Sequence, residues 1–172
     1  MKRKQGQSMV EMALISPFLV MTLLMVIDCG RAAYDYATLA GAAREGARAA
    51  ITTGSNRPDN NRVIGAIQLN AIGLQLSPGS CVNDTPPVTP SMSANTGLIY
   101  VGAGNGNTTP NAPAGQPSSA GGACGPVAPS YAGHYPLAVT IKYNFKPLTP
   151  FGSQFFPSGI VMTVTSTMST EY

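Results

Sequence analysis

An apolar run near the amino terminus limits what this chain can fold into. From Met12 to Ile27 there are 16 residues without a charge, and the run reaches 19 residues from Met9 if Glu11 is admitted. A helix needs about 20 such residues to cross the hydrocarbon of a bilayer. We therefore predict one membrane-spanning helix at this end of the chain.

The charges on either side of the run predict its orientation. Lys2, Arg3 and Lys4 precede it, whereas Asp28 follows it with no comparable basic cluster nearby. Basic residues flanking a span stay in the cytoplasm. The predicted protein therefore crosses the membrane once, with a cytoplasmic amino terminus and everything after Asp28 outside.

The overall charge argues against nucleic acid as a partner. The net charge of +3 comes from the first three basic residues, because the other seven bases balance seven acids. Between Arg62 and Lys142 the only formal charge is Asp84. Binding to phosphates needs a clustered basic face, which this sequence lacks.

Three fates compete for the amino-terminal segment. A secretory peptide needs a small-residue cleavage site soon after the apolar core, but "VIDCGRAAYDY" offers an acid and an arginine first. A lipoprotein site is rejected, because Ile27 and Asp28 precede Cys29 where small residues are required. The third fate is a cut before the apolar run, which leaves the anchor attached.

The spacing of Gly6, Gln7 and Glu11 resembles the prepilin peptidase site of type IV pilin-like proteins. There a basic leader and a glycine precede the cut, and a glutamate is the fifth residue after it. The resemblance implies that residues 1–6 are removed and that Glu11 pairs with the new α-amino group at Gln7 of a neighbouring subunit. The alternative is that Glu11 has no such partner and its side chain reaches the headgroups at the cytoplasmic edge of the membrane.

Apolar spacing predicts that the helix continues well beyond the membrane. Together with the anchor, residues 9–51 would form one helix of about 65 Å, in which Pro17 favours a kink. Small residues one turn apart, in Ala37-xxx-Gly41 and Ala42-xxx-Gly46, allow another backbone to approach. That backbone belongs either to the chain's own head or to another subunit. The predicted packing stripe comprises Ala32, Tyr36, Leu39, Ala40, Ala43, Ala47, Ala50 and Ile51, opposite Arg31, Asp35, Arg44, Glu45 and Arg48.

The stretch from Gly6 to Ala50 closely resembles the amino-terminal signature of the TadE/TadG-like family of pseudopilins, which serve the tight-adherence (Flp) pilus, and the carboxy-terminal strands resemble the family more loosely. The matching pieces are Arg3, Gly6-Gln7, Val10-Glu11, Pro17, Gly30-Arg31 and the run from Ala42 to Arg48. One departure is Met12, where an aromatic residue is common. The resemblance implies a role in pilus assembly or priming. The implied partners are a prepilin peptidase, other pseudopilins and an inner-membrane platform driven by a cytoplasmic ATPase.

The outer domain, residues 52–172, is predicted to be small and mixed. "NNRVIGAIQLNAIGLQL" fits a short amphipathic helix, with Val63, Ile64, Ile67, Ala71 and Ile72 on its apolar face. "GLIYVGAG", "YPLAVTIKYNFKPL" and "GIVMTVTSTMSTEY" fit strands, the last two antiparallel and joined by a wide loop. The predicted fold class is α+β: a long helix laid partly against a small antiparallel sheet.

A Gly/Pro-rich segment over residues 77–133 is too poor in large apolar side chains to fold alone. It is interpreted as a solvated connection, or else as a contact surface. Cys81 and Cys124 flank its low-complexity part, either as a disulfide in an oxidising compartment or as two unrelated thiols. Cys29 is left over, as a small residue at the membrane boundary.

Nothing in the sequence points to catalysis, a metal or a cofactor. His134 is the only histidine and has no carboxylate cluster at ligand spacing. "VGAGNGN" lacks the Lys-Ser/Thr of a phosphate loop. The chain is therefore predicted to be non-enzymatic. Alternatives to the pseudopilin role are a filament or tip adhesin subunit and a signal-anchored envelope protein without a pilus role.

Overall fold

The computed structural model describes residues 4–51, 59–82, 85–103, 122, 124 and 136–169. Three helices and four strands follow one another in the order α1 Lys4–Ile51, α2 Asn60–Asn70, β1 Gln75–Pro78, β2 Thr96–Ala103, β3 Pro136–Phe145, α3 Pro150–Phe155 and β4 Ile160–Ser169. The α+β prediction is confirmed. His134 and most of the Gly/Pro-rich segment lie outside the described residues.

Helix α1 is one continuous helix of 48 residues, about 72 Å long at 1.5 Å per residue. It passes through Pro17 without ending. From Gly6 to Val20 every side chain is exposed, whereas Leu39, Ala43 and Ala47 are fully buried. The first half of α1 therefore stands bare, and the second half belongs to the core of the head.

The four strands form one sheet in the order β1-β2-β3-β4. β3 pairs antiparallel with both β2 and β4, as predicted. The short edge strand β1 runs parallel to β2, so the sheet is mixed and the prediction of a purely antiparallel sheet is wrong. Ile99, Ile141 and Val164 lie side by side on neighbouring strands, and all three are buried. This apolar row packs with the second half of α1 in one core.

Helix α2 packs against the far end of α1. Asp59 caps its first turn by accepting a hydrogen bond from the backbone N–H of Asn61 at 3.0 Å. Val63, Ile64 and Ile67 are buried, as predicted, but Ile72 lies beyond the helix and is exposed. A Cβ on Gly46 would overlap the side chain of Ile67, so glycine allows the two helices to approach closely.

Three details of the predicted burial are wrong. Tyr36 is exposed, although it was placed on the packing stripe, and Asp35 is buried, although it was placed opposite. The alternation of apolar and polar residues in β3 also predicts one buried face, but the strand is covered on its second face near its end. There the Lys142 ammonium donates to the carbonyls of Pro87 at 2.6 Å and Val88 at 3.1 Å. The segment before β2 supplies this cover, which alternation within β3 cannot reveal.

Candidate assembly and anchoring site

The predicted processing residues lie at the start of the bare part of α1. Gly6, Gln7 and Glu11 are all exposed, and none of the described residues forms a hydrogen bond with the Glu11 carboxylate. Gln7 and Glu11 are four positions apart, so their side chains share one face of the helix. A partner for Glu11 would therefore have to come from outside the described part of the chain.

The surface around Glu11 is apolar. Met9, Met12, Leu14 and Phe18 are each at least two-thirds exposed, and the exposed apolar side chains continue to Ile27. Within the described residues, α1 is the one helix that meets the length and composition needed to cross a membrane. It is therefore a candidate membrane anchor, and none of its most apolar window is covered by the protein itself.

The head begins where the apolar run ends, and Asp28 marks the junction. One carboxylate oxygen of Asp28 accepts from the backbone N–H of Leu148 at 3.1 Å. The other accepts from the backbone N–H of Thr149 at 3.4 Å and from its hydroxyl. The same hydroxyl accepts from the N–H of Gly152 and so caps α3. Asp28 thus fastens the loop that carries α3 to the end of the anchor.

Glycine at position 152 is required for this contact. A Cβ there would lie 2.6 Å from Cβ of Pro147 and 2.9 Å from the Asp28 carboxylate. Both distances are shorter than van der Waals contact, so a larger side chain would displace the loop from α1.

Asp28 is held in its ionised form. Burial by itself raises the pKa of Asp28, but the hydrogen bonds from Thr149 and Leu148, with the positive charge of Arg31, together lower it below the usual value. The carboxylate is therefore charged at neutral pH and its negative charge faces donors on the head.

Arg31 lies one turn further along α1 and makes a second connection to the sheet. Its guanidinium donates to the Asn95 side chain at 3.1 Å and lies 5.1 Å from the centre of the Phe145 ring. Asn95 also accepts from the backbone N–H of Lys146 at 3.1 Å. Its φ of 56° is a conformation that asparagine adopts more readily than most residues. These contacts fix the end of β3 against α1.

Asp35 is buried unfavourably at this interface. It is 5% exposed, and one of its carboxylate oxygens is buried without a hydrogen-bond partner among the described residues. Burial raises the pKa of Asp35, and the charge of Arg31 offsets only part of that effect. The Tyr143 hydroxyl also has a raised pKa, through burial and then through the negative charge of Asp35.

Sequence reasoning missed Asp28 and Asp35 as contacts of the head. The signal was present, because residues 28, 32, 35 and 39 follow the same helical period as the buried alanines further along. Extending the stripe back from Leu39 would have placed both acids on the packed face. Asp35 is instead placed on the opposite side because of its charge, and Asp28 is interpreted only as the residue that follows the span.

The structure joins Cys81 and Cys124 by a disulfide, with the two Cα atoms 5.5 Å apart. Cys29 is a free, exposed cysteine. Among the described residues, no group of three or more His, Cys, Asp or Glu side chains is placed to hold a metal ion.

The chain thus has a small α+β head and an amino-terminal helix whose bare apolar half is a candidate membrane anchor. These features define its class of protein. Residues 6–48 match the family model described as TadE-like protein, which is consistent with a TadE/TadG-like protein and confirms the resemblance for this segment. The match lies within α1 and leaves the sheet outside it. No curated protein and no solved structure matches the chain significantly. The TadE-like segment indicates involvement with Tad pilus systems and with protein partners from them.

Proposed function

We propose that this chain is a minor pilin-like membrane protein, a pseudopilin, that acts in the assembly of Tad/Flp-type pili. Prepilin peptidase cuts between Gly6 and Gln7, and the anchor stays on the mature protein. The observation that carries the proposal is the exposed Glu11 carboxylate on a bare apolar helix, four residues after Gln7, within the TadE-like segment.

The orientation follows from two features, one before the anchor and one in the head. The basic residues at positions 2–4 hold the amino terminus in the cytoplasm. The Cys81–Cys124 disulfide fits an oxidising compartment, so the head lies outside. The protein is therefore a single-pass inner-membrane protein with an extracytoplasmic α+β head.

Assembly proceeds by lateral packing of the long helices. An unpaired carboxylate is costly inside a membrane, and a positive amino group at Gln7 of a neighbouring subunit offsets that cost. Ala37 and Gly41 are exposed beyond the membrane, and a Cβ at Gly41 would meet nothing within 4 Å. A neighbouring pseudopilin helix has room to approach there, whereas the pair Ala42 and Gly46 is already used by the head.

Glu11→Ala tests the proposal in cells whose only copy of the protein is the variant. Removing one partner of a buried ion pair costs about 3–5 kcal/mol. We therefore expect piliation, measured in the sheared-filament fraction, to fall by roughly tenfold or more, since about 1.4 kcal/mol corresponds to tenfold. The amount of protein in the membrane fraction should not change.

Arg62→Ala is the control, because Arg62 is an exposed charged residue on α2 and does not belong to the face of α1 that carries Ala37 and Gly41. It should leave piliation unchanged. Normal piliation by the Glu11→Ala variant, with normal membrane insertion, would remove Glu11 from the assembly mechanism.

A further inference from the structure

An apolar cleft opens between the anchor and the head. Its volume is about 500 Å³, and it lies between the turn of α1 around Asp28 and the loop that carries α3. The lining is almost entirely apolar, because the Asp28 carboxylate is bonded to Leu148 and Thr149. The apolar side chains that line it include Met25, Cys29, Phe151, Phe155, Phe156 and Ile160.

The loop beside the cleft exposes large apolar side chains. From the sequence, Phe151, Phe155 and Phe156 are expected to pack in the core, or else to rest on the anchor helix or the membrane surface. Phe155 is 65% exposed and Phe156 is 48% exposed, so core packing is wrong for both. Leu148 and Val161 are exposed as well. No charged residue occurs between Lys146 and Glu171. Phe155 and Phe156 line the same cleft. Large apolar side chains exposed together in this way mark an interaction surface.

The height of the cleft identifies what covers it. Met25 belongs to the bare apolar surface of α1, and Cys29 follows the last residue of the run by two positions. The surface that the anchor presents to lipid therefore continues without a break into the cleft. Both the cleft and the exposed phenylalanines lie at the level where the span meets the outer membrane surface.

We propose that residues 148–161 dip into the outer leaflet of the membrane and that lipid acyl chains occupy the cleft. This inference rests on the membrane orientation proposed above. The cleft falls in the range of roughly 300–1,000 Å³ typical of small-molecule sites. A neighbouring helix, about 10–12 Å across with its side chains, would need a long groove instead.

The lipid contact would fix the height and orientation of the head relative to the membrane. Amphipathic elements at a membrane surface bury their apolar face by roughly 5–10 Å. Because Asp28 fastens this loop to α1, burial of the phenylalanines holds the head against the membrane and at a fixed height. The free subunit would then leave lipid when it enters an assembly.

The absence of tryptophan from the sequence allows a direct test. Full-length Phe155→Trp is reconstituted in phosphatidylcholine/phosphatidylglycerol vesicles, with either brominated or ordinary acyl chains, and its fluorescence is compared. Phe18→Trp is the positive control within the span. Leu69→Trp is the negative control, because Leu69 is exposed on α2, which packs near Gly46, roughly 27 Å along α1 from Asp28.

Bromolipid is expected to quench Phe155→Trp as well as Phe18→Trp, because both side chains would contact acyl chains. Leu69→Trp should respond only to aqueous acrylamide. Phe156→Trp is a second probe should Phe155→Trp not fold, and the same quenching is expected for it. Quenching of both probes by lipid supports the inference.

The opposite results are distinguishable. Probes that acrylamide reaches and bromolipid does not, with Phe18→Trp still quenched by lipid, would overturn the lipid contact and leave the anchor in place. Probes shielded from both quenchers, with cross-linked dimers in the vesicles, would assign the cleft to a second copy instead. No bromolipid quenching of Phe18→Trp would contradict the anchor and the proposed function with it.

Discussion

Replacing both Cys81 and Cys124 by serine is expected to lower the free energy of unfolding by roughly 2–4 kcal/mol. The two cysteines are 43 residues apart. In the chain-entropy account, opening a loop of that length raises the conformational entropy of the unfolded chain and so lowers its free energy by about 4 kcal/mol. The effect should be large here because the intervening sequence is rich in Gly, Pro, Ser and Asn and offers few apolar side chains of its own.

The disulfide ties together two segments that use the same edge of β2. The N–H of Gly79, just after β1, donates to Ile99, and further along β2 the N–H of Val101 donates to Gly122. Cys124 then donates to the carbonyl of Val101 at 2.7 Å. Without the disulfide, both segments remain attached through few hydrogen bonds, so the edge of β2 should open first.

The measurement is thermal unfolding of the full chain in detergent, with and without a reductant. Cys29→Ser is the matched control, since Cys29 is free and exposed, and it should unfold like the unaltered protein. Equal unfolding temperatures for the double variant and the unaltered protein would contradict a stabilising role for this disulfide.

The two buried aspartates of α1 are expected to respond oppositely to replacement by asparagine. Asp28→Asn should cost about 2–3 kcal/mol at pH 7, because hydrogen bonds to a charged group contribute roughly 1.5–3 kcal/mol and an amide cannot accept all three. Asp35→Asn should be neutral or stabilising. It removes a buried charge that has one oxygen without a partner among the described residues.

Acidification should also separate the two. The pKa of Asp28 is lowered in the folded state, so its stabilisation is complete above the unfolded value of about 3.9 and is lost as pH falls through the folded value. The pKa of Asp35 is raised in the folded state, so the protonated side chain favours folding. This stabilisation is complete below the unfolded pKa of about 3.9 and is lost as the pH rises through the folded pKa.

Unfolding of the three proteins at several pH values from about 7 to 3 checks both signs. The gap between the unaltered protein and Asp28→Asn should narrow as the pH falls below about 4. Any advantage of Asp35→Asn should also shrink on acidification, because the unaltered Asp35 becomes protonated. A loss of stability from Asp35→Asn as large as that from Asp28→Asn would contradict the view that the buried charge of Asp35 destabilises the fold.

The long helix could be predicted from the sequence because its signals are local. Apolar length and helical spacing lie within a single segment, and α1 ends at Ile51 as predicted, although it begins at Lys4 instead of residue 9. β3 and β4 were recognisable for the same reason, because Val139 and Ile141 alternate with polar residues. Strand β1 was missed, since its four residues, QLSP, become a strand only through pairing with β2.

The junction between anchor and head was less predictable. Asp28 looks like the end of a span, and its role depends on Leu148 and Thr149, 120 or more residues away. The exposure of Phe155 and Phe156 likewise depends on how the loop is fastened. Such contacts follow from the fold as a whole, whereas the processing signal at Gly6, Gln7 and Glu11 is read from spacing alone.

The most direct test of the proposed function is the amino terminus of the membrane-extracted protein, measured by mass spectrometry in cells with and without prepilin peptidase. We predict a chain that begins at Gln7 when the peptidase is present and retains the residues before Gln7 when it is absent. An unprocessed chain in both cells, or one cut after the apolar run, would contradict the pseudopilin account and leave an anchored or secreted envelope protein.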